Sequence, residues 1–390
     1  MNGGRPLRIA VVAGEESGDL LGADLVAALG RIAGRPVELV GVGGRHLREL
    51  GLEPLFDGSE IALMGITAVL RDLPRLARRI RQTADAVAKA EPDCLVTIDS
   101  PDFSLRVASR LRAAAPSVPI VHYVCPSVWA WRPGRAPAMR AHVDRVLCVL
   151  PFEPEALSRL DGPQGVYVGH RLATHPGVLA ARAAQQARPI AARTGPRRLV
   201  VLPGSRRSEV GRLLEPFGET LCLLAQRGNE FAVTIPTVPH VAALVEEAVS
   251  SWPVRPRVVH GEDEKWAAFG EADAALAASG TVSLELALAG VPMISCYRTD
   301  WIWTAMMRFI TVWSASLPNL IADWPVVPEA YNDFVRPPYL ARLIERLWAD
   351  TPVRAAQIDG LGQVAARMAT ERPAGDLAAE AVLDLIGSKA

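Results

Sequence analysis

The chain has 390 residues, 42 Lys+Arg against 42 Asp+Glu, and is 50% hydrophobic. That length suits two domains, and the composition excludes a disordered chain. A formal net charge of zero argues against a general nucleic-acid binder, which carries a basic excess.

From the N-terminus, short β-branched runs alternate with amphipathic stretches. Strands are expected at Leu7–Ala13, Val37–Val42, Cys94–Ile98, Ile120–Val124, Arg145–Leu150 and Val166–Val168. Helices are expected between them, notably Leu20–Ile32, Leu73–Ala90 and Leu105–Ala114. This alternation implies βαβ units and a parallel sheet. His175–Pro196, rich in Ala, Arg and Pro, reads as a helix and a crossing. The alternation restarts at Arg198, with strands at Leu199–Leu202, Ala232–Ile235, Arg257–His260, Ala274–Ala277 and Pro292–Cys296 and helices such as Glu209–Gln226 and Val282–Leu288. From Pro338 onward the chain reads as helical. The expected fold is α/β, two doubly wound Rossmann-like domains facing a cleft, with a helical tail: 1–175, 176–337 and 338–390. In such folds ligands lie beyond the carboxyl ends of the strands, so the cleft is the expected site.

The five cysteines are scattered and form no CxxC pair, so neither a zinc site nor a disulfide framework is expected. Ile9–Ala13 is too short for the apolar core of a secretion signal. Trp301–Ala322 is the longest apolar stretch, but Arg308 interrupts it and Pro318-Asn319 breaks its end, which disfavours a membrane span. Only Lys89, Lys265 and Lys389 are lysines. This arginine bias reads mainly as genomic, although arginine's fork suits phosphate and carboxylate.

Chemistry is expected where loops follow strands. Gly14–Asp19 is not GxGxxG, and Glu15 with Glu16 would repel a phosphate. Ser17 or Asp19 as helix cap and a contact to sugar hydroxyls stand as equal readings. Asp99 ends a strand and is a candidate general base, whereas Asp102 reads as the N-cap of the next helix. His122–Arg132 holds Trp129 and Trp131 two residues apart; it is either a loop with aromatic plugs or a cleft wall for sugar or an apolar chain. Gly204-Ser205-Arg206 and Ser279-Gly280-Thr281 each follow a strand and open a helix. Backbone N–H groups there, with an arginine, suit a diphosphate, and Glu285 one turn on can accept from ribose hydroxyls. Apolar Ala62–Leu70 precedes Arg71, Arg75, Arg78, Arg79 and Arg81. It reads equally as a buried segment beside a solvated helix face or as an interfacial membrane patch.

Together, Ala13–Asp19, Met64-Gly65-Ile66, Ile98–Phe103, His122–Trp131, Pro151-Phe152-Glu153, Val168-Gly169-His170, Leu202–Arg206 with Glu209, Ser279-Gly280-Thr281 with Leu284-Glu285, and Leu317-Pro318-Asn319-Leu320 resemble the lipid-A-disaccharide synthase family, in order, from about Leu7 to the C-terminus. The resemblance implies a GT-B glycosyltransferase of Gram-negative lipid A synthesis. Its donor would be UDP-2,3-diacylglucosamine and its acceptor 2,3-diacylglucosamine 1-phosphate (lipid X). It implies no metal and no cofactor, no nucleic acid, a cytoplasmic protein held peripherally at the inner membrane, and room for a homodimer with exchanged C-terminal segments. It places the essential aspartate at Asp99. Donor contacts fall on Gly204, Ser205, Arg206, Ser279, Gly280, Thr281, Glu285 and Asn319, and acceptor contacts on Glu15, Ser17 and Trp129. Membrane contacts fall on Met64, Ile66, Val69, Leu70, Arg75, Arg78 and Arg79. Where the family commonly has Gln after Pro-Glu, this chain has Glu329 followed by Ala330-Tyr331-Asn332, so Asn332 is given no role. Arg171 follows Gly169-His170 where Pro is frequent. The rival reading is a UDP-N-acetylglucosamine 2-epimerase of the same fold, which has no use for an apolar Met64–Leu70.

Overall fold

The computed structural model describes residues 5–62, 73–299 and 310–389. The chain forms two compact units, 1–171 with 370–390, and 172–369. The helices expected as one tail divide between them. Pro337–Trp348 and Pro352–Met368 belong to the second unit, while Ala374–Lys389 packs on Glu16–Ala33 in the first.

Each unit is built on a six-stranded parallel sheet. The first contains β1 (Leu7–Ala13), β2 (Val37–Val42), β3 (Cys94–Ile98), β4 (Ile120–Tyr123), β5 (Arg145–Cys148) and β6 (Gln164–Tyr167), in the order β2-β1-β3-β4-β5-β6. The second contains β7 (Arg197–Leu202), β8 (Phe231–Thr237), β9 (Arg257–His260), β10 (Ala274–Ala278), β11 (Met293–Tyr297) and β12 (Glu329–Tyr331), in the order β12-β11-β10-β7-β8-β9. Every residue of β3 and β10 is buried, as expected for strands covered by helices on both faces. In each sheet the order reverses beside the opening strand, between β1 and β3 and between β7 and β10. Such switch points open crevices at the carboxyl ends of the strands.

Two local departures from the sequence reading have clear causes. The strand expected to run to Leu150 stops at Cys148, because the Glu153 carboxylate accepts the N–H groups of Val149 and Leu150, both at 3.0 Å. β12 carries no β-branched residue and is three residues long, too short to show alternation.

The amino ends of the sheets are closed by aspartates that sit directly before a strand. Asp93, before β3, accepts the Arg8 N–H of β1 at 2.9 Å. Asp144, before β5, accepts the Ile120 N–H of β4 at 2.8 Å. Asp273, before β10, accepts the Arg198 N–H of β7 at 2.7 Å. Cations cover these carboxylates: Arg112 and Lys389 pair with Asp144 at 2.6 and 2.7 Å, and Arg193 pairs with Asp273. The Arg193–Asp273 pair is almost fully buried, with side chains 4% and 3% exposed. Arg193 also donates to Ala272 O at 2.7 Å, and Gln185 donates to the carbonyls of Phe269 and Ala272 at 2.6 and 2.8 Å. Removing one partner of a buried pair strands the other charge, which costs about 3–5 kcal/mol. Asp273→Ala should therefore lower the unfolding free energy of the second unit by that amount. Urea denaturation checks this, and an unchanged midpoint would refute the assignment.

Candidate active site

In the first unit the candidate residues meet at the β1/β3 switch point. Asp99 follows β3 with φ 49°, and Ser100 has φ 44°. This left-handed pair, tolerable for a short polar residue such as Asp, turns the chain sharply into Pro101–Ala114. The turn is fastened by Ser100 N–H to Asp99 Oδ1 at 2.8 Å, Asp99 N–H to Tyr123 O at 3.0 Å, and Ser104 Oγ–H to Asp99 O at 2.5 Å. Val124, which follows β4, also has positive φ, 74°; for a β-branched residue that is strain. Gly14, which follows β1, is closely hemmed in: a Cβ there would lie 2.7 Å from Ile61 Cγ2 and 3.4 Å from Ser100 Oγ. Glu15 and Ser17 are exposed at the start of Glu16–Ala33.

Several expectations here are corrected. The N-cap of Pro101–Ala114 is Ser100, not Asp102, and Asp102 instead pairs with Arg135 at 2.6 Å. Asp19 does not cap its own helix. It is buried and accepts the Gly44 and His46 N–H groups at 2.6 and 2.7 Å, capping Arg45–Glu49. Trp129, half-buried, fits the aromatic-plug reading given above: its indole N–H donates to Glu153 at 3.2 Å, and its ring meets Phe152 edge-on at 5.0 Å. Met64, Ile66, Val69 and Leu70 lie outside the described residues. On Leu73–Ala90, Leu76, Ile80, Ala84 and Val87 are buried in the core. Arg75 and Arg79 both pair with Glu60, at 3.0 and 2.8 Å. Arg79 further covers the Phe56 ring at 4.5 Å and so turns toward the unit; Arg78 and Arg81 are exposed. No helix among the described residues is long and apolar enough to cross a membrane.

In the second unit the two expected loops share one cavity of about 600 Å³. Gly204, Ser205 and Arg206 follow β7, and Ser279, Gly280 and Thr281 follow β10, so the cavity lies at the β7/β10 switch point. Gly204 has φ 113°, and a Cβ there would approach Glu209 at 2.9 Å. Arg206 is the N-cap of Arg207–Gln226 and is 80% exposed; its guanidinium pairs with Glu209 at 3.0 Å. Ser279 is anchored on both sides, by N–H to Cys296 O at 2.8 Å and Oγ–H to Ala315 O at 3.0 Å. His240 donates from Nε2 to Ser205 O at 2.6 Å. The residues between, Gly280 and Thr281, open the helix Thr281–Ala289 toward the cavity, leaving unbonded N–H groups suited to an anion.

Glu285 lines the same cavity, and burial pushes its carboxyl upward, opposed by Lys265. Lys265, which the sequence reading gave no site role, reaches both Glu285 oxygens, at 3.2 and 3.1 Å. It comes from the helix after β9, a partner that no local motif ties to Ser279–Thr281.

Asn319, expected at the donor, is fully buried and lies outside the cavity lining. Its amide accepts the Val327 N–H at 2.7 Å and donates to Val327 O at 3.0 Å and to Glu329 at 3.3 Å. Glu329 accepts Ser314 Oγ–H at 2.7 Å, Ala315 N–H at 3.1 Å and the Tyr331 hydroxyl. Asn319 thus reaches the cavity only through Glu329 and Ala315, the residue whose carbonyl holds Ser279. A further cluster was not evident from spacing. Donor atoms of Cys125, Cys148 and Glu153 lie within 4.8 Å of one another, all buried. The Glu153 oxygens are already taken by Val149, Leu150 and Trp129. Burial lifts the Glu153 pKa to about 7.

A family model described as lipid-A-disaccharide synthetase matches residues 9–350. A lipid-A-disaccharide synthase from Nitrobacter winogradskyi is 50% identical over 383 residues, covering 97% of this chain and 95% of the relative. Among solved structures, a UDP-GlcNAc 2-epimerase from Neisseria meningitidis bound to UDP-GlcNAc is similar with TM-score 0.59 and 11% identity, covering 98% of this chain and 100% of that one. MurG from Acinetobacter baumannii is similar with TM-score 0.57 and 14% identity, covering 98% and 100%. At those identities the structures share the GT-B architecture and no more. Half the residues held in common with a full-length relative is a closer bond, and on it the chain belongs to the lipid-A-disaccharide synthase family.

Proposed function

We propose that the protein joins UDP-2,3-diacylglucosamine to 2,3-diacylglucosamine 1-phosphate, giving the β-1,6-linked disaccharide 1-phosphate and UDP. The observation that carries this reading is the shared cavity of the Gly204–Arg206 and Ser279–Thr281 turns with Glu285. Its turns suit a diphosphate, and its carboxylate suits ribose hydroxyls. The similarity to a relative named lipid-A-disaccharide synthase supports a lipid-linked disaccharide as the product.

In this reading the reaction is one inverting displacement. Asp99 takes the proton from the acceptor 6-hydroxyl as that oxygen bonds to the donor's anomeric carbon. The bond from that carbon to the β-phosphate oxygen breaks, and UDP leaves with the electron pair. Negative charge grows on the leaving diphosphate, where Arg206 and the Thr281–Ala289 helix start stabilise it. The left-handed backbone at Asp99 and Ser100 fixes the base at a strand end, and that placement is costly enough to suggest use. Arg78 and Arg81 provide exposed positive charge for an anionic membrane surface, where each arginine is worth about 1 kcal/mol.

A 2-epimerase shares the fold, but it acts on a UDP-sugar alone. Mass spectrometry after incubation with both acylated substrates should show the disaccharide. Epimer formed from UDP-N-acetylglucosamine alone, without disaccharide from the acylated pair, would overturn the reading. Asp99→Asn should reduce turnover by about 10²–10⁴-fold with UDP affinity unchanged by calorimetry. Equal loss of both would move Asp99 from catalysis to binding or folding. Arg78→Glu with Arg81→Glu should weaken sedimentation with anionic vesicles by roughly tenfold or more. Equal binding of both proteins would exclude these arginines from the membrane contact.

A further inference from the structure

The donor cavity contains a cation that the reaction scheme above does not use. Lys265 lies on Glu262–Glu271, the helix that follows β9, and lines the cavity together with Glu285 of the helix Thr281–Ala289. Its ammonium is 3.2 Å from Glu285 Oε1 and 3.1 Å from Oε2, 2.9 Å from Glu262, and 4.1 Å from the centroid of the Trp266 ring. Lys265 and Glu285 are 15% and 16% exposed. An ion pair withdrawn this far from water gains little net stability over apolar side chains of similar size, so stability alone does not account for it.

The geometry points to a positioning role. An ammonium carries three donors and a carboxylate about four acceptor sites. Lys265 stands almost equally far from the two Glu285 oxygens, so it occupies one site on each and leaves acceptor capacity on both. Two adjacent carboxylate acceptors complement two adjacent hydroxyls. The choice of residue fits as well: the chain has three lysines among 42 basic residues, and one of them stands here. A compact ammonium fits between the Trp266 face and the carboxylate, whereas a guanidinium would impose a planar fork.

We propose that Lys265 is a positioning residue that sets the Glu285 carboxylate to accept both ribose hydroxyls of the bound nucleotide, and so makes the cavity selective for a ribonucleotide. This rests on the reading of the cavity as a nucleoside-diphosphate site. Lys265 acts through Glu285, so its loss should appear as lost sugar discrimination.

The test is calorimetric titration of the full-length protein with UDP and with 2′-deoxy-UDP. The wild type should bind UDP about tenfold or more tightly than the deoxy form, the worth of one hydrogen bond to a charged acceptor. Lys265→Met should bring the ratio close to one, and Glu285→Gln should do the same. Lys265→Met added to Glu285→Gln should change the ratio no further. Should Lys265→Met fail to fold, as judged by its thermal transition, Lys265→Gln provides the same measurement. A folded Lys265 variant that keeps the wild-type ratio overturns the proposal, as does wild-type protein that binds both nucleotides equally. If the wild type binds neither nucleotide, the nucleotide-site reading itself fails, which is a distinguishable result.

Discussion

A parallel strand cannot satisfy all of its backbone groups within the ladder at its ends, and a buried N–H left open is costly. In this protein that demand is met at the amino ends of the sheets by carboxylates: Asp93, Asp144 and Asp273 each accept an N–H from the adjacent strand. Each then needs a cation, and arginines from elsewhere in its unit supply it. The result is a division of labour along the strand axis. Charge at the amino ends is spent on holding the sheets, while the carboxyl ends are left for turns with unusual backbone angles and open N–H groups.

The same burial that stabilises the sheets sets the protonation of what lies inside them. His122 is fully buried on β4, which pushes its pKa down to about 3. It is therefore neutral near pH 7. Glu153 is nearly as deep, yet its three N–H partners only partly offset the burial. Its folded pKa lies above the ordinary carboxylate value, so the fold favours its protonated form. The stability that this preference contributes is complete below the unfolded pKa and is lost as pH rises toward 7. Asp99, half-buried at the end of β3, is held by backbone hydrogen bonds instead.

Much of the fold was legible because the central strands of both sheets are buried on both faces. Runs such as Leu7–Ala13 and Cys94–Ile98 are apolar but for Arg8 and Thr97, and they stand out against amphipathic helices. β12 did not stand out, because Glu329 and Tyr331 are chosen for their hydrogen bonds to the 314–316 turn and not for burial. The two cavity loops were legible as small residues between a strand and a helix. Lys265 was not, since its meeting with Glu285 depends on β9 standing two strands away from β7. Helix caps misled for a related reason: Asp19 serves a helix 26 residues further on, and Asp102 serves Arg135. One signal was present and went unused. Pro92-Asp93-Cys94, Val143-Asp144-Arg145 and Ala272-Asp273-Ala274 each put an aspartate directly before a buried strand.

The helix Ala374–Lys389 completes the first unit by packing on Glu16–Ala33, with Arg145 donating to Ala381 O at 2.6 Å and pairing with Asp384 at 2.9 Å. Between these partners lies the whole of the second unit, 172–369. On the ribosome the order of completion is therefore inverted. The second unit emerges entire and can collapse while the first still lacks a helix, so nascent Glu16–Ala33 waits with part of its surface uncovered. That interval is when a chaperone would be most useful to this chain.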